Sequence, residues 1–170
     1  MDTISGRRSI RNFSNRDVSD AQINLLLEAA VSAPSAGNLQ PWFFFVTRNP
    51  KIKEKLAAAS FGQSFIAQAP AVIVVCAEPS KSAARYGERG AGLYCLQDTA
   101  AAVQNILLAA WGLGLGTCWV GAFDEAGVSS VLGLEKTRRP VAVIPMGYPK
   151  EKPMSPSRRP LEEVVRDYDE

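Results

Sequence analysis

Three guanidinium groups and a hydroxyl fall within five residues of this chain, in Arg7-Arg8-Ser9-Ile10-Arg11. Arg7 and Arg11 are four apart, so on a helix they would share a face and repel, with no local benefit. A bound polyanion reverses that sign, because a guanidinium fork matches phosphate oxygens in pairs. A second stretch, Pro34-Ser35-Ala36-Gly37-Asn38-Leu39-Gln40-Pro41-Trp42, sets hydroxyl, amide and backbone donors between two prolines and ends on tryptophan. A stiff polar loop of that kind suits a planar ligand rich in heteroatoms. Together the two stretches point to a phosphorylated aromatic cofactor.

Other chemistry is excluded by composition. The chain has no histidine, which removes Ser-His-Asp triads, Cys-His dyads and the usual zinc enzymes. No metal site is expected. Any catalysis must then reside largely in a cofactor that the protein binds and orients. Cys76, Cys95 and Cys118 sit in apolar runs at no metal-ligand or CxxC spacing, so buried reduced thiols and a cytoplasmic setting are expected. Met1-Asp2-Thr3 is polar and reads as no signal peptide. Apolar segments such as Ala71–Ala77 are too short to span a bilayer. The net charge of +2 is too small to argue for nucleic acid, yet basic residues concentrate in Arg7–Arg16 and Lys150–Arg159. Two local clusters fit one anionic small ligand better than a long phosphate backbone.

The elements that must position these residues follow from periodicity. With 170 residues, 46% apolar and 21% charged, the chain reads as a single globular domain. Ser19 and Gln22 form a capping box for a helix over Asp20–Ala33, stopped by Pro34. Trp42–Thr47 reads as a strand. Asn49-Pro50 opens a helix through Ala59. Ala71–Ala77 is apolar throughout, as in a strand covered on both faces. Gly90–Trp111 is apolar on nearly every side, so it belongs at the centre of the fold or against a second copy. Leu115–Val120 and Val141–Met146 read as strands, and Asp124 caps a short helix between them. The tail from Lys150 is proline-rich and basic, then apolar enough over Leu161–Val165 to dock on the domain or on a partner. Helices separated by four or so strands give an α/β or α+β sandwich.

Gly112-Leu113-Gly114-Leu115-Gly116-Thr117 does not complete a GxGxxG, and it follows a helix rather than a strand. It reads as a helix-ending turn. Each remaining motif also has a plain explanation: a solvated arginine face, turn-forming Ser35 and Asn38, a core Cys118. Their joint occurrence, in this order, is what carries weight.

That order resembles the short form of the flavin-dependent nitroreductase family. The resemblance runs from Arg7–Phe13 and Ala33–Trp42 through Gly62-Gln63, Ala69-Pro70 and Gly114–Phe123 to Gly147-Tyr148-Pro149 and Arg158–Glu163. It implies a mostly antiparallel central sheet flanked by helices, and a homodimer with FMN bound at the subunit interface. The long segment Gly90–Trp111 would become the main dimer helix. Arg7, Arg8 and Ser9 would hold the phosphate and ribityl end, with Arg158 or Arg159 closing over the phosphate. Arg11 would lie beside the N1–C2 edge of the flavin, where reduction builds negative charge. Pro34, Ser35, Ala36, Asn38 and Gln40 would reach the ring from the partner chain. The backbone at Val120, Gly121 and Ala122 would face N5, with Gln63 near the ribityl chain or ring edge. The implied reaction is ping-pong, with NAD(P)H as transient donor and a nitroaromatic or quinone as acceptor at an open site. Dehalogenase-like or flavin-cleaving relatives, and a non-catalytic flavin-sensing dimer, are the alternatives. A basic-patch RNA-binding module lacks an aromatic RNP-like strand. No nucleic-acid or membrane partner is expected.

Overall fold

The computed structural model describes residues 2–151 and 153–168; Met1 of the polar start and Lys152 of the basic tail lie outside the described residues. A four-stranded antiparallel sheet forms the centre, in the order β1-β2-β4-β3. The strands are β1 (Trp42–Thr47), β2 (Ala71–Ala77), β3 (Gly116–Thr117) and β4 (Arg139–Gly147). Every β2 residue is fully buried, and its alternation divides the interior in two. Ala71, Ile73 and Val75 join one core with α2 (Asp20–Val31) and α6 (Cys95–Gly112). Val72, Val74 and Cys76 join the other, with α3 (Pro50–Ala59), α4 (Phe65–Gln68) and α7 (Glu125–Leu132). A period of two on a central strand thus places a helical layer on each face.

The caps are those the sequence specifies. Ser19 and Gln22 close the capping box of α2, Asn49 accepts from Lys51 and Ile52, and Asp124 accepts from Ala126 and Gly127. α2 ends two residues sooner than its periodicity suggests, because Ser32 caps it ahead of the proline. The strand expected over Leu115–Val120 shrinks to β3 and one bridge from Val120 to Val143. Leu115 is held instead by the turn closing α6, with Gly114 at φ +74 and Leu115 N donating to Ala110 O at 2.8 Å. The glycine run is therefore a helix-ending turn.

Three helices have no counterpart in the sequence reading: α1 (Asp2–Gly6), the single turn α4, and α5 (Pro79–Arg89). A π-helical turn over Gly90–Tyr94 joins α5 to α6, so the long helix proper begins at Cys95. α6 packs on α2, where Asn105 Nδ2 donates to Ala29 O at 2.9 Å. It is not buried all round: Leu96, Ala100 and Leu108 are only half-buried and Gln104 is exposed. Of the two docking places expected for the tail, the chain's own domain is not used. Leu161, Val164 and Val165 are 74%, 54% and 55% exposed, so Leu161–Val165 does not dock on this chain's own surface.

Candidate active site

Arg7 to Phe13 is an extended segment, not a helix. α1 stops at Gly6, which lies so close to Trp111 that a Cβ would stand 2.8 Å from its Nε1. Beyond it, Ile10 N donates to Thr117 O at 2.9 Å, Ser9 bridges Thr117 and Phe13 bridges Pro149. In extended chain, residues four apart stand about 13 Å from each other. Arg7 and Arg11 therefore do not share a helical face, which corrects the repulsion read from their spacing. The segment is anchored by its apolar members instead: Ile10 and Phe13 are 1% and 4% exposed. Ile10 seats on Gly116, where a Cβ would meet its side chain at 2.6 Å.

This anchoring turns the arginines into one cleft. A cavity of about 350 Å³ is bounded on one side by Arg7, Arg8, Ser9 and Arg11. Its other wall is Pro153, Met154, Pro156 and Arg158 of the tail. Arg8 Nη1 donates to Ser5 O and Arg7 O at 2.7 Å, and Arg158 Nη1 to Pro156 O and Ser157 O. Among the described residues, none of these four arginines meets a carboxylate. Arg159 differs: it pairs with Glu163 at 3.2 Å and does not line the cleft. Four uncompensated cations held together by backbone anchoring make a site for a strongly anionic group. Cys118 lies beneath it; burial pushes its thiol pKa up, against the pull of Arg11 and Arg7.

Beside the cleft lie the residues expected at the ring edge. Arg11 stands 5.8 Å over the Phe65 ring. Two residues before Phe65, Gln63 Nε2 donates to Ala122 O at 3.0 Å. Gly121 is exposed and lines a separate hollow of about 260 Å³ with Trp119 and the half-buried Leu96 and Ala100. Val120 is buried and serves the sheet. The chain thus brings Arg7, Arg8, Ser9, Arg11 and Arg158 into one cleft, while Gln63 and Ala122 are bonded to each other outside its lining. Phe65 and the Pro153–Pro156 wall were missed from sequence; only the basic Lys150–Arg159 cluster signalled the latter.

The loop Pro34–Gln40 is not in that cleft. Ala36 N donates to Asp98 Oδ1 at 3.1 Å, near the start of α6, whereas Gly6 meets Trp111 at its end. Thirteen residues of helix separate those contacts, about 20 Å. The loop is also strained: Gly37, Asn38 and Gln40 have φ of +57, +57 and +50. For a residue with a Cβ that conformation costs roughly 1–2 kcal/mol, and such strain gathers where a backbone is aimed at a ligand. Ser35 stabilises it, its Oγ accepting from Gln40 N at 3.0 Å and its carbonyl from Asn38 N at 2.9 Å. Asp98 is itself buried, which raises its pKa against the opposing hydrogen bond from Ala36.

The donor set fits a ligand with a phosphate at one end and a planar polar body. It offers guanidinium forks in the cleft, then amide and backbone groups at Gln63 and Ala122. Among the described residues, no helix is long and apolar enough to cross a membrane, and no cluster could hold a metal.

Known proteins share this frame. A family model described as the Nitroreductase family matches residues 4–64 and 61–148. An Archaeoglobus fulgidus protein, provisionally named NADH dehydrogenase/NAD(P)H nitroreductase, is 41% identical over 88% of this chain and 84% of its own. The oxygen-insensitive NADPH nitroreductase of Salmonella typhimurium is 32% identical, over 98% of this chain and 72% of its own. The solved structure of the NADPH:FMN oxidoreductase of Vibrio harveyi, complexed with NAD+, matches 99% of this chain and 77% of its own. Its TM-score is 0.89 at 26% identity. On sequence and fold alike, the chain belongs to the nitroreductase family.

Proposed function

We propose that this protein is an NAD(P)H-dependent flavin oxidoreductase, one folded unit that holds FMN in the arginine cleft and works as a homodimer. The observation that carries the reading is the cleft itself: four arginines with no carboxylate partner among the described residues, held together by backbone anchoring. Arg7, Arg8, Ser9 and Arg158 hold the phosphate and ribityl end through charge-assisted hydrogen bonds. Arg11 stabilises negative charge that develops at the ring edge. Ala122 and Gly121 offer backbone to the reacting edge, and Gln63 fixes that backbone by its bond to Ala122. When bound there, FMN would supply the redox chemistry that links NAD(P)H to a second substrate.

The homodimer follows from the separation within one chain. Pro34–Gln40 lies about 20 Å along α6 from the arginine end, so its donors reach a ring in the cleft of a partner, not of their own chain. The half-buried Leu96, Ala100 and Leu108 give α6 an apolar face for that contact. Gly121, Ala122 and Arg11 are exposed, which supports an open site and a broad range of nitroaromatic and quinone acceptors, with donor and acceptor using it in turn. Three buried free thiols support a reducing, cytoplasmic setting.

Purification and stopped-flow absorbance test the reading. The protein is expected to be yellow, to be bleached by NADH or NADPH, and to regain colour with menadione or nitrofurazone. A colourless protein that takes up no added FMN overturns it. A yellow protein that neither nicotinamide bleaches overturns the enzymatic part and leaves a flavin-binding dimer.

A further inference from the structure

A second pair of guanidinium groups lies outside the arginine cleft, and the described residues supply them no carboxylate partner. Within α5, Gly87 takes φ 55 and ψ −144, and the π-helical turn Gly90–Tyr94 follows. Such departures from helical geometry mark segments shaped for a purpose beyond simple packing. Gly90 is pressed against the helix, where a Cβ would stand 2.3 Å from Ser82 O. This doubling-back sets Tyr86 edge-on to Tyr94, with ring centroids 5.3 Å apart. Arg85 lies 5.4 Å from the Tyr86 ring and Arg89 5.4 Å from the Tyr94 ring, whose hydroxyl accepts from Arg89 Nε at 3.0 Å. Both arginines are exposed. Among the described residues neither meets a carboxylate, and Glu88 between them pairs with neither.

This platform rests on the strained loop. Arg85 Nη1 donates to Gly37 O at 3.5 Å, and a Cβ on Gly37 would stand 2.6 Å from Tyr86 Oη and 2.7 Å from Arg85 Nη1. The turn is therefore backed directly by Arg85 and Tyr86, with Arg89 held beside them on Tyr94. A nicotinamide dinucleotide needs such cations. It carries a pyrophosphate and, in one form, a 2′-phosphate, yet the Gly112–Thr117 turn is no nucleotide loop and the first cleft holds the flavin phosphate.

We propose that Arg85 and Arg89, presented by the Tyr86–Tyr94 pair, bind the phosphate groups of the nicotinamide dinucleotide donor as its reactive end meets the flavin. The assignment rests on the function proposed above, in which Pro34–Gln40 borders the flavin ring. Exposed guanidiniums give binding that is short-ranged and weakened by salt. That suits a donor which must leave before the acceptor enters.

The test is stopped-flow bleaching of the FMN-loaded protein and of its Arg85→Ala/Arg89→Ala variant. Three donors are compared: NADPH, NADH and 1-benzyl-1,4-dihydronicotinamide, which has no phosphate. The half-saturating NADPH concentration is expected to rise roughly tenfold or more on losing two charge-assisted contacts, and its salt dependence to flatten. The benzyl donor is expected to change less than twofold. NADH weakened equally assigns the pyrophosphate, whereas NADH unaffected assigns the 2′-phosphate. An Arg85→Lys/Arg89→Lys variant recovers part of the loss. Unchanged half-saturation for both dinucleotides overturns the proposal. Equal slowing of the benzyl donor also overturns it, because the platform would then serve only to hold the loop. A wild-type protein that takes up no FMN removes the underlying function as well, a result visible before any variant is made.

Discussion

Arg7 has no carboxylate partner among the described residues, so its charge is available to a ligand. Arg7→Ala is expected to weaken FMN binding by roughly 1.5–3 kcal/mol, one charge-assisted contact, read by fluorescence titration of the flavin. An unchanged affinity removes Arg7 from the site. Asp98 carries a different prediction. Burial raises its folded-state pKa above the unfolded value near 3.8, so the fold disfavours its charged form relative to the unfolded chain. Any stability from the neutral form is present below pH 3.8 and is lost as pH rises through the folded pKa. Asp98→Asn keeps an acceptor for Ala36 and removes the charge. It is therefore expected to raise the thermal midpoint at pH 8, by an amount that shrinks toward zero below pH 4. The arginines and the Pro34–Gln40 loop were legible in the sequence because charge and turn chemistry are local properties. Asp98 as the loop's anchor was not: sixty-two residues separate it from Ala36, and only folding closes that gap.

Elements were legible where a period and a cap agreed. Asn49-Pro50 opens α3, Asp124 caps α7, and β1 and β2 coincide with their apolar runs. α5 escaped because Pro79–Arg89 is polar, has few apolar residues at helical spacing, and contains Gly87. Its support is tertiary, through Ser82 buried against Gly90 and Tyr86 resting on Gly37. The expected Leu115–Val120 strand shortened because the helix-ending turn claims Leu115 while Val120 makes only a bridge. Local rules thus failed most at the junction where loop, α5 and π-helical turn meet, as expected of a segment shaped for a site. Gly37 is where the loop meets α5, leaving no room for a Cβ beside Tyr86 and Arg85. Gly37→Ala is expected to cost roughly 1–2 kcal/mol for its left-handed backbone, seen as a lower thermal midpoint. Because Arg85 and Tyr86 would also be displaced, flavin reduction by NADPH should slow in the same variant.

At the scale of the whole molecule, the two N-terminal motifs sit at opposite ends of α6, and in the proposed dimer each supplies half of a site. The holoprotein is expected to sediment as a dimer, twice the 18.3 kDa of the chain. Its thermal midpoint should rise with protein concentration, since association stabilises the folded form by mass action. A monomer with full FMN affinity would refute the shared site. The tail carries a further consequence. Residues 153–158 form one wall of the arginine cleft while staying exposed, moored by Lys150 N on Asn12 O and by the Phe13–Pro149 bridge. A wall attached at one end sets how long a guest stays more than whether it is admitted. Ending the chain after Lys150 spares the sheet and both cores but removes Arg158 and that wall. FMN should then escape severalfold faster on dilution, while its uptake rate changes little, making the last twenty residues a clock for cofactor residence.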